Sequence, residues 1–130
     1  VDAPCSSEGR FKMSDPDTCA YWSPRKVKEM VRKQRGLLLH ASRLLNPGGT
    51  LVYATCTFAP EENEGVIDWL LRKTGGRLSL EPVHFTGIQN YPALGGWQGK
   101  TFDSRVQDCF RVFPDAAMEG FFIARFTASG

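Results

Sequence analysis

Cysteine is the residue type in this sequence that offers the most chemistry, and four cysteines stand at positions 5, 19, 56 and 109. They form no C-x-x-C pair and no histidine lies at ligand spacing, so we expect no zinc or other metal site. No secretory signal is recognisable, and we therefore expect free thiols in a cytoplasmic protein. The surroundings of each thiol then decide whether it is reactive.

Cys5 and Cys56 differ from the other two cysteines because each follows a predicted strand. The first four residues are typical of a strand end, since Pro4 cannot donate a ladder hydrogen bond. Residues 50–54 form another predicted strand, just before Cys56. In an open α/β sheet ligands bind beyond the carboxyl ends of the strands, and neighbouring strands lie about 4.8 Å apart. If these two strands are parallel neighbours, Asp2, Cys5 and Cys56 converge on one cleft.

Position alone leaves two interpretations of Cys5 and Cys56 open, a reactive thiol and a small buried hydrophobe. The dipole of a helix that follows Cys56 would lower the pKa of this thiol, but the glutamates at the start of that helix oppose the effect. For Cys19 and Cys109 we favour the buried interpretation.

Two helices are predicted between these sites. The first begins at Pro24 with Ser23 as its N-cap and ends before the Asn-Pro-Gly-Gly of residues 46–49. Its expected buried face consists of Val27, Met30, Val31, Leu37, Leu38, Ala41, Leu44 and Leu45. The second runs from about Pro60 to Lys73, and its expected inner face consists of Val66, Ile67, Leu70 and Leu71.

Strands complete the pattern. The strand at 50–54 is apolar on both faces, which predicts a strand covered by helices on both sides. Further strands are predicted at 78–83, 110–113 and 120–126, and residues 84–108 are predicted to be irregular. The alternation of strands and helices predicts an α/β sheet in one domain.

The bulk composition is that of an ordinary globular protein. Of the 130 residues, 42% are hydrophobic and 23% are charged, which argues against disorder. No apolar run approaches the roughly 20 residues of a membrane span, so no membrane partner is expected. The net charge of +2 does not by itself indicate nucleic acid, although the first helix carries a basic run that would suit a phosphate backbone.

Several segments together resemble one enzyme family. Asp2-Ala3-Pro4-Cys5-Ser6-Ser7-Glu8-Gly9 resembles the Asp-Ala-Pro-Cys-Ser-Gly loop of the Sun/RsmF-type RNA cytosine-5 methyltransferases. Tyr53-Ala54-Thr55-Cys56-Thr57 with Pro60-Glu61-Glu62-Asn63-Glu64 is similar to their Thr-Cys motif and the helix after it. Further matches, in the same order, are Trp22-Ser23-Pro24, Gln34, Leu45-Asn46-Pro47-Gly48-Gly49 and Glu119-Gly120-Phe121-Phe122-Ile123-Ala124. Ser7 departs from the pattern, because the family usually has glycine there, and it puts the local loop shape in doubt.

The resemblance implies a fold, a reaction and roles for three residues. The fold is the C-terminal half of a Rossmann-like sheet of a class I S-adenosylmethionine-dependent methyltransferase, ending in an antiparallel strand. The reaction is methylation at C5 of cytosine, in which the Cys56 thiolate adds to C6 of the base. Cys5 helps to remove the C5 proton and to release the product. Asp2 is expected to hydrogen-bond the cytosine and to lie near the methyl donor.

The same resemblance assigns residues 1–130 to part of a catalytic domain. No G-x-G loop for the cofactor occurs, so we expect the N-terminal cofactor-binding half, with most of the S-adenosylmethionine pocket, to be absent. The chain alone is then expected to be inactive and to bind S-adenosylmethionine weakly. An exposed sheet edge is expected to promote self-association.

Three other functions remain open. The basic helix and the aromatic-rich 84–108 segment could form a non-catalytic RNA-binding or assembly module. Cys5 and Cys56 could form a dithiol redox switch. In a DNA-type cytosine-5 methyltransferase the nucleophile would be Cys5, because it follows a proline. The expected partner is RNA, with ribosomal RNA favoured by the resemblance alone.

Overall fold

The computed structural model describes residues 1–130, which form two α-helices, six strands and three 3-10 turns. The helices are α1 (Pro24–Arg43) and α2 (Glu64–Thr74). The strands are β1 (Thr50–Thr55), β2 (Leu78–Glu81), β3 (Gly96–Trp97), β4 (Lys100–Thr101), β5 (Phe110–Val112) and β6 (Phe121–Ala128). The 3-10 turns are Glu8–Arg10, Pro16–Cys19 and Ser104–Asp108. Neither helix is both long and apolar enough to cross a membrane.

The main sheet is built around β6, which lies antiparallel between β1 and β2. Since both neighbours are antiparallel to β6, they are parallel to each other, and α2 connects them. β5 pairs with the first residues of β6. The predicted α/β sheet that ends in an antiparallel strand is therefore confirmed.

The first residues of the chain form the parallel neighbour of β1 that the sequence predicts. The Ala3 amide donates to the Ala54 carbonyl at 3.0 Å, and the Ala54 amide donates to the Val1 carbonyl at 2.9 Å. This pairing stops at Pro4, which has no amide proton to donate. Cys5 and the residue after β1 are thereby brought to the same edge of the sheet.

Helix α1 begins as predicted, but its inner face is different. The Ser23 hydroxyl accepts a hydrogen bond from the Lys26 amide at 3.0 Å and caps the helix before Pro24. Leu37 and Leu44, predicted as buried, are exposed, whereas Gln34 is fully buried. Helical spacing places Gln34 one turn from the buried residues on either side, so a polar side chain occupies the inner stripe.

Both helices contribute to one core on a single face of the sheet. Helix α2 supplies the four predicted inner residues, and β1 and β6 supply alternating residues, with Tyr53 and Phe122 fully buried. Val52 on the opposite face is 43% exposed, so the prediction that β1 is covered on both sides is wrong. The apolar residues on both faces of β1 hid the alternation that its antiparallel pairing with β6 imposes.

The remaining differences are at the ends of elements. Helix α2 starts at Glu64, and a turn over residues 60–63 precedes it, because the buried side chain of Asn63 bonds back to the end of β1 and the loop after it. It ends at Gly75 in the left-handed conformation, with φ 56°. Strand β2 ends at Glu81 rather than at residue 83. Within the segment predicted as irregular, 84–108, lie the short β3–β4 hairpin and the Ser104–Asp108 turn.

Candidate active site

Two loops bring the predicted cysteine pair together at the edge of the sheet. Cys5 follows the strand segment that ends at Pro4, and Cys56 follows the last residue of β1. Their Sγ atoms lie 3.4 Å apart, and both residues are half-buried. This separation is well beyond the roughly 2.05 Å of a disulfide bond, so two free thiols share a hydrogen bond.

Backbone contacts hold the two cysteine loops against each other. The Gly9 amide donates to the Cys56 carbonyl at 2.8 Å, and the Gly120 amide donates to the Gly9 carbonyl at 3.0 Å. A Cβ atom at Gly9 would lie 2.8 Å from the Cys56 carbonyl oxygen and would also clash with the Gly120 carbonyl. Only glycine fits at this crossing, because two backbones approach from opposite sides.

A buried carboxylate joins both loops to α1. Glu62 is fully buried, and its carboxylate accepts hydrogen bonds from the Ser6 amide at 2.8 Å, from the Ser6 hydroxyl at 2.5 Å and from Gln34 Nε2 at 3.0 Å. Gln34 Nε2 also donates to the Pro4 carbonyl at 2.9 Å. The Ser6 hydroxyl lies 2.7 Å from Thr57 Oγ1. The residues on either side of both cysteines are thus fixed by one hydrogen-bonded network.

A second carboxylate supports the Cys56 loop from the Cys5 side. Glu8 Oε2 accepts hydrogen bonds from the Thr57 hydroxyl at 2.8 Å and from the Phe58 amide at 3.2 Å. Because Glu8 lies three residues after Cys5, and its two donors directly follow Cys56, the two loops cannot move independently without breaking these bonds.

The two thiols have unlike acidities. The hydrogen bond from Cys5 is the largest influence on Cys56, and with the Ser7 hydroxyl and nearby Arg10 it lowers the pKa of the Cys56 thiol from 9.0 to about 6, against the opposing effects of burial and of Glu119. The pKa of Cys5 is raised, first by its hydrogen bond to Cys56 and then by burial. The hydrogen bond between the two thiols therefore favours the thiolate form of Cys56 and the thiol form of Cys5.

Ser7 stands between the thiols in an unusual conformation. Its backbone is left-handed, with φ 57° and ψ 34°. Its hydroxyl oxygen lies 3.4 Å from Cys56 Sγ and 3.7 Å from Cys5 Sγ. The positive φ explains why glycine would suit this position, and it resolves the doubt about the loop shape.

Asp2 and the other two cysteines make no hydrogen bond with the thiol pair. Asp2 is exposed, and its carboxylate makes no hydrogen bond or ion pair, so the structure does not join it to either thiol. Cys109 is buried in the core as predicted. Cys19 is exposed, contrary to prediction, because it lies in a surface 3-10 turn where its Sγ contacts the Pro16 carbonyl.

A cleft with basic residues lies beside the thiol pair. A cavity of about 390 Å³ is lined by residues 9–12 and 114–119, and a neighbouring one of about 270 Å³ shares Arg10, Lys12 and Glu119 with it and adds Tyr21. Arg10 and Glu119 form an exposed ion pair, with Nε and Oε1 3.3 Å apart. Neither cavity is lined by Cys5 or Cys56, but Gly9, which lines the larger one, bonds to the Cys56 carbonyl.

Sequence reasoning missed the residues that fix the loops. In the sequence, Glu62 is only one of the glutamates at the start of the second helix and part of a family match, and Gln34 is a family match without a role. The signal in the sequence is the position of Gln34 on the inner stripe of α1, where a long polar side chain needs a buried partner.

Comparisons with known proteins find relatives along nearly the whole chain. The model of the family described as 16S rRNA methyltransferase RsmB/F matches residues 1–127. The chain is 40% identical over 126 residues to tRNA (cytosine(49)-C(5))-methyltransferase of Pyrococcus abyssi, covering 96% of this chain and 39% of that protein. It is 37% identical over 128 residues to ribosomal RNA small subunit methyltransferase F of Serratia proteamaculans, covering 96% and 24%.

A solved structure shows the same fold. The crystal structure of a methyltransferase homolog protein from Pyrococcus horikoshii superposes with a TM-score of 0.78 at 32% identity, covering 98% of this chain and 37% of that one. The chain therefore spans well under half the length of the proteins it resembles.

Proposed function

Because the chain belongs to the RsmB/F family of 16S rRNA methyltransferases, we propose that it carries the cysteine pair of an RNA cytosine-5 methyltransferase. The observation that carries the proposal is the contact between the two thiols at 3.4 Å, with the pKa of Cys56 lowered to about 6. C5 of cytosine is a poor nucleophile, and covalent addition of a thiolate at C6 is one way to activate it.

Cys56 is the proposed nucleophile. Its Sγ forms a bond to C6 of the cytosine, and the electron pair of the C5–C6 double bond moves onto C5, which then takes up the methyl group. S-adenosylmethionine supplies this methyl group when it is bound. After transfer, the C5 proton passes to water with the assistance of Cys5; the electron pair of that C–H bond restores the C5–C6 double bond, and the C6–S bond breaks with its electron pair returning to Cys56 as a thiolate. Over the cycle one methyl cation is taken up from the donor, which is left as a neutral thioether, and one proton is released, so atoms and charge balance.

Asp2 is the residue proposed to meet the base and the methyl donor. Its carboxylate is exposed and has no partner within the chain, so it is free to accept a hydrogen bond from a ligand. It stands three residues before Cys5, at the carboxyl end of the strand segment paired with β1. This placement fits a group that hydrogen-bonds the ring edge of the cytosine while Cys56 attacks.

RNA is the proposed substrate, and a cytoplasmic location suits the free thiols. The family is described by its action on 16S rRNA and one relative by its action on tRNA, so both names support RNA. Exposed basic residues of α1, namely Arg25, Lys28, Arg32 and Arg43, would contact phosphates. We propose ribosomal RNA because of the family description. The target cytidine has to be unstacked before Cys56 reaches C6.

Trapping with 5-azacytidine tests the assignment. RNA that contains this base should form a covalent adduct with the full-length protein, visible as a slower band in a denaturing gel. Cys56→Ala should abolish the adduct, Cys5→Ala should retain it, and Cys19→Ala is the matched control at an exposed cysteine. Loss of the adduct only in Cys5→Ala would transfer the nucleophilic role to Cys5, and RNA binding without any adduct would support a non-catalytic module.

A further inference from the structure

The loop that follows β1 is held at each of its first three carbonyl groups, those of residues 56–58. The three donors, in the order of these carbonyls, are the Gly9 amide at 2.8 Å, Asn63 Nδ2 at 2.8 Å and Arg111 Nη1 at 3.1 Å. The first two donors lie near a cysteine in the chain. Arg111 lies in β5, and its bond to the Phe58 carbonyl brings a strand that is distant in sequence to the Cys56 loop.

A buried ion pair fixes the Arg111 side chain. Its Nε and Nη2 atoms donate to the Glu64 carboxylate at distances between 2.6 and 3.1 Å, and both side chains are buried. A bidentate pair fixes the orientation of the guanidinium plane, and breaking such a pair in the interior leaves an uncompensated charge. The remaining nitrogen, Nη1, is therefore held in place as the donor to Phe58.

The segment 84–108, for which the sequence indicates no catalytic role, holds this ion pair from another side. Three hydrogen bonds join the segment to the pair, from the Leu94 amide to Glu64 Oε1 at 3.1 Å, from the Arg111 amide to Asn90 Oδ1 at 3.0 Å and from the Tyr91 amide to the Arg111 carbonyl at 2.8 Å. Both the backbone and the side chain of Arg111 are thus fixed, and its contact with Phe58 transmits this order to the Cys56 loop.

We propose that Arg111 is a positioning residue, which holds Cys56 in place against Cys5 by its hydrogen bond to the Phe58 carbonyl. Arg111 acts through another residue and takes no part in the chemical steps. The inference deepens the proposed function and rests on it for its bearing on RNA, but the order of the Cys56 loop is measurable without RNA or a methyl donor.

Two variants weaken this hold without removing the charge at position 111 or with only a small change. Arg111→Lys keeps a positive charge beside Glu64 but loses the planar group that donates to Glu64 and to the Phe58 carbonyl together. Asn90→Ala is milder, because Asn90 is exposed and only the acceptor of the Arg111 amide is lost. Leu78→Ala is the control for lost stability, since Leu78 is buried in β2 and its truncation leaves these contacts intact.

Backbone hydrogen exchange of the full-length protein, followed by mass spectrometry after pepsin digestion, reports the order of residues 56–63. Exchange in this segment should accelerate roughly tenfold in Arg111→Lys, which is the effect of losing one hydrogen bond from a charged group. It should accelerate about threefold in Asn90→Ala, where one neutral hydrogen bond is lost. Leu78→Ala should destabilise the protein in urea and leave the exchange of residues 56–63 at its wild-type rate.

Covalent trapping of RNA that contains 5-azacytidine separates positioning from RNA binding. In Arg111→Lys the maximal rate of adduct formation should fall at least about tenfold, because a nucleophile held in the wrong place reacts slowly. The RNA concentration that gives half of the maximal rate should stay at its wild-type value.

Three results would overturn the role of Arg111. The first is unchanged exchange of residues 56–63 in both Arg111→Lys and Asn90→Ala. The second is equal acceleration in Arg111→Lys and Leu78→Ala, because the loop would then follow the stability of the whole domain. The third is an unchanged maximal rate of adduct formation with a higher RNA requirement. If the wild-type protein forms no adduct while Arg111→Lys accelerates exchange in the loop, the proposed function is wrong and the positioning of Cys56 by Arg111 stands.

Discussion

Glu62→Ala tests whether one buried carboxylate holds the two cysteine loops together. In the wild-type protein this carboxylate accepts hydrogen bonds from the Ser6 amide, the Ser6 hydroxyl and Gln34 Nε2. After substitution the Ser6 amide has no other partner in the structure. The Ser6 hydroxyl retains Thr57 Oγ1, and Gln34 Nε2 retains the Pro4 carbonyl.

The magnitude follows from these losses. One orphaned buried amide costs about 1–3 kcal/mol, and each of the two weakened charge-assisted bonds adds on the order of 1 kcal/mol. Removing the buried charge returns part of this free energy, because desolvation opposes an ionised group at this site. We therefore expect Glu62→Ala to lower the free energy of unfolding by about 3 kcal/mol, a large fraction of the 5–15 kcal/mol typical of a protein domain.

The measurement is urea unfolding at pH 7, combined with the rate of Cys56 alkylation. Glu61→Ala is the matched control in the same turn, because Glu61 is less buried and accepts a single bond, from Trp97 Nε1 at 3.0 Å. The control should lose less than about 1 kcal/mol. If both variants lost the same free energy of unfolding, or if Glu62→Ala left the alkylation rate of Cys56 unchanged, the Glu62 carboxylate would not be what holds the two cysteine loops together.

The contribution of Glu62 to the free energy of unfolding depends on pH, and the direction of this dependence follows from its pKa. Burial raises the pKa of Glu62 above its usual 4.5, so the folded state binds the proton more tightly than the unfolded state. The stability contributed by this group is complete below pH 4.5 and is lost as the pH rises through the folded-state pKa. The side chain in Glu62→Gln cannot titrate. The difference in free energy of unfolding between wild type and Glu62→Gln should therefore shrink as the pH rises from 4.5 through the folded-state pKa of Glu62.

Two further substitutions test the contacts around the site. Gly9→Ala should reduce RNA adduct formation at least tenfold and destabilise the protein, because the new Cβ meets the Cys56 carbonyl at 2.8 Å; an adduct rate equal to wild type would show that the loops can separate freely. Arg111→Met should lower the free energy of unfolding in urea by about 3–5 kcal/mol, because it leaves the fully buried Glu64 carboxylate without its bidentate partner. The control Arg72→Met removes a more exposed ion pair and should lower it by less than about 1 kcal/mol. Equal losses in Arg111→Met and Arg72→Met would contradict this reasoning.

The sequence predicts the ends of helices and strands where a capping residue or a proline marks them. Ser23 and Pro24 mark the start of α1 because a hydroxyl cap and a residue without an amide proton both suit that end. Pro4 ends the first strand segment because it, too, has no amide proton to donate. Together with the chain order, these ends predict that Cys5 and Cys56 converge if the two strands are parallel neighbours, and the pairing at Ala54 and the 3.4 Å contact confirm this.

What the sequence does not predict depends on pairing between distant segments. Whether Val52 is exposed depends on the antiparallel register with β6, which lies about seventy residues later and leaves no mark on β1 itself. Gln34 is buried although the expected inner face of α1 does not include it, because a carboxylate 28 residues away supplies a partner for its amide, and Leu37 is exposed although that face includes it. The polarity of a single residue does not report such a partner.

Two costly features of this molecule lie at the thiol pair. Ser7, with its left-handed backbone, lies two residues after Cys5. The buried Glu62 carboxylate accepts a hydrogen bond from the amide of Ser6, the residue next to Cys5, and burial raises its pKa. The core under the sheet, by contrast, is apolar and conventional. A fold selected for stability alone would place glycine at position 7, because glycine adopts the left-handed backbone without strain. Ser7→Gly should therefore stabilise the protein in urea unfolding, and a stability equal to that of the wild type would show that no strain is stored at position 7.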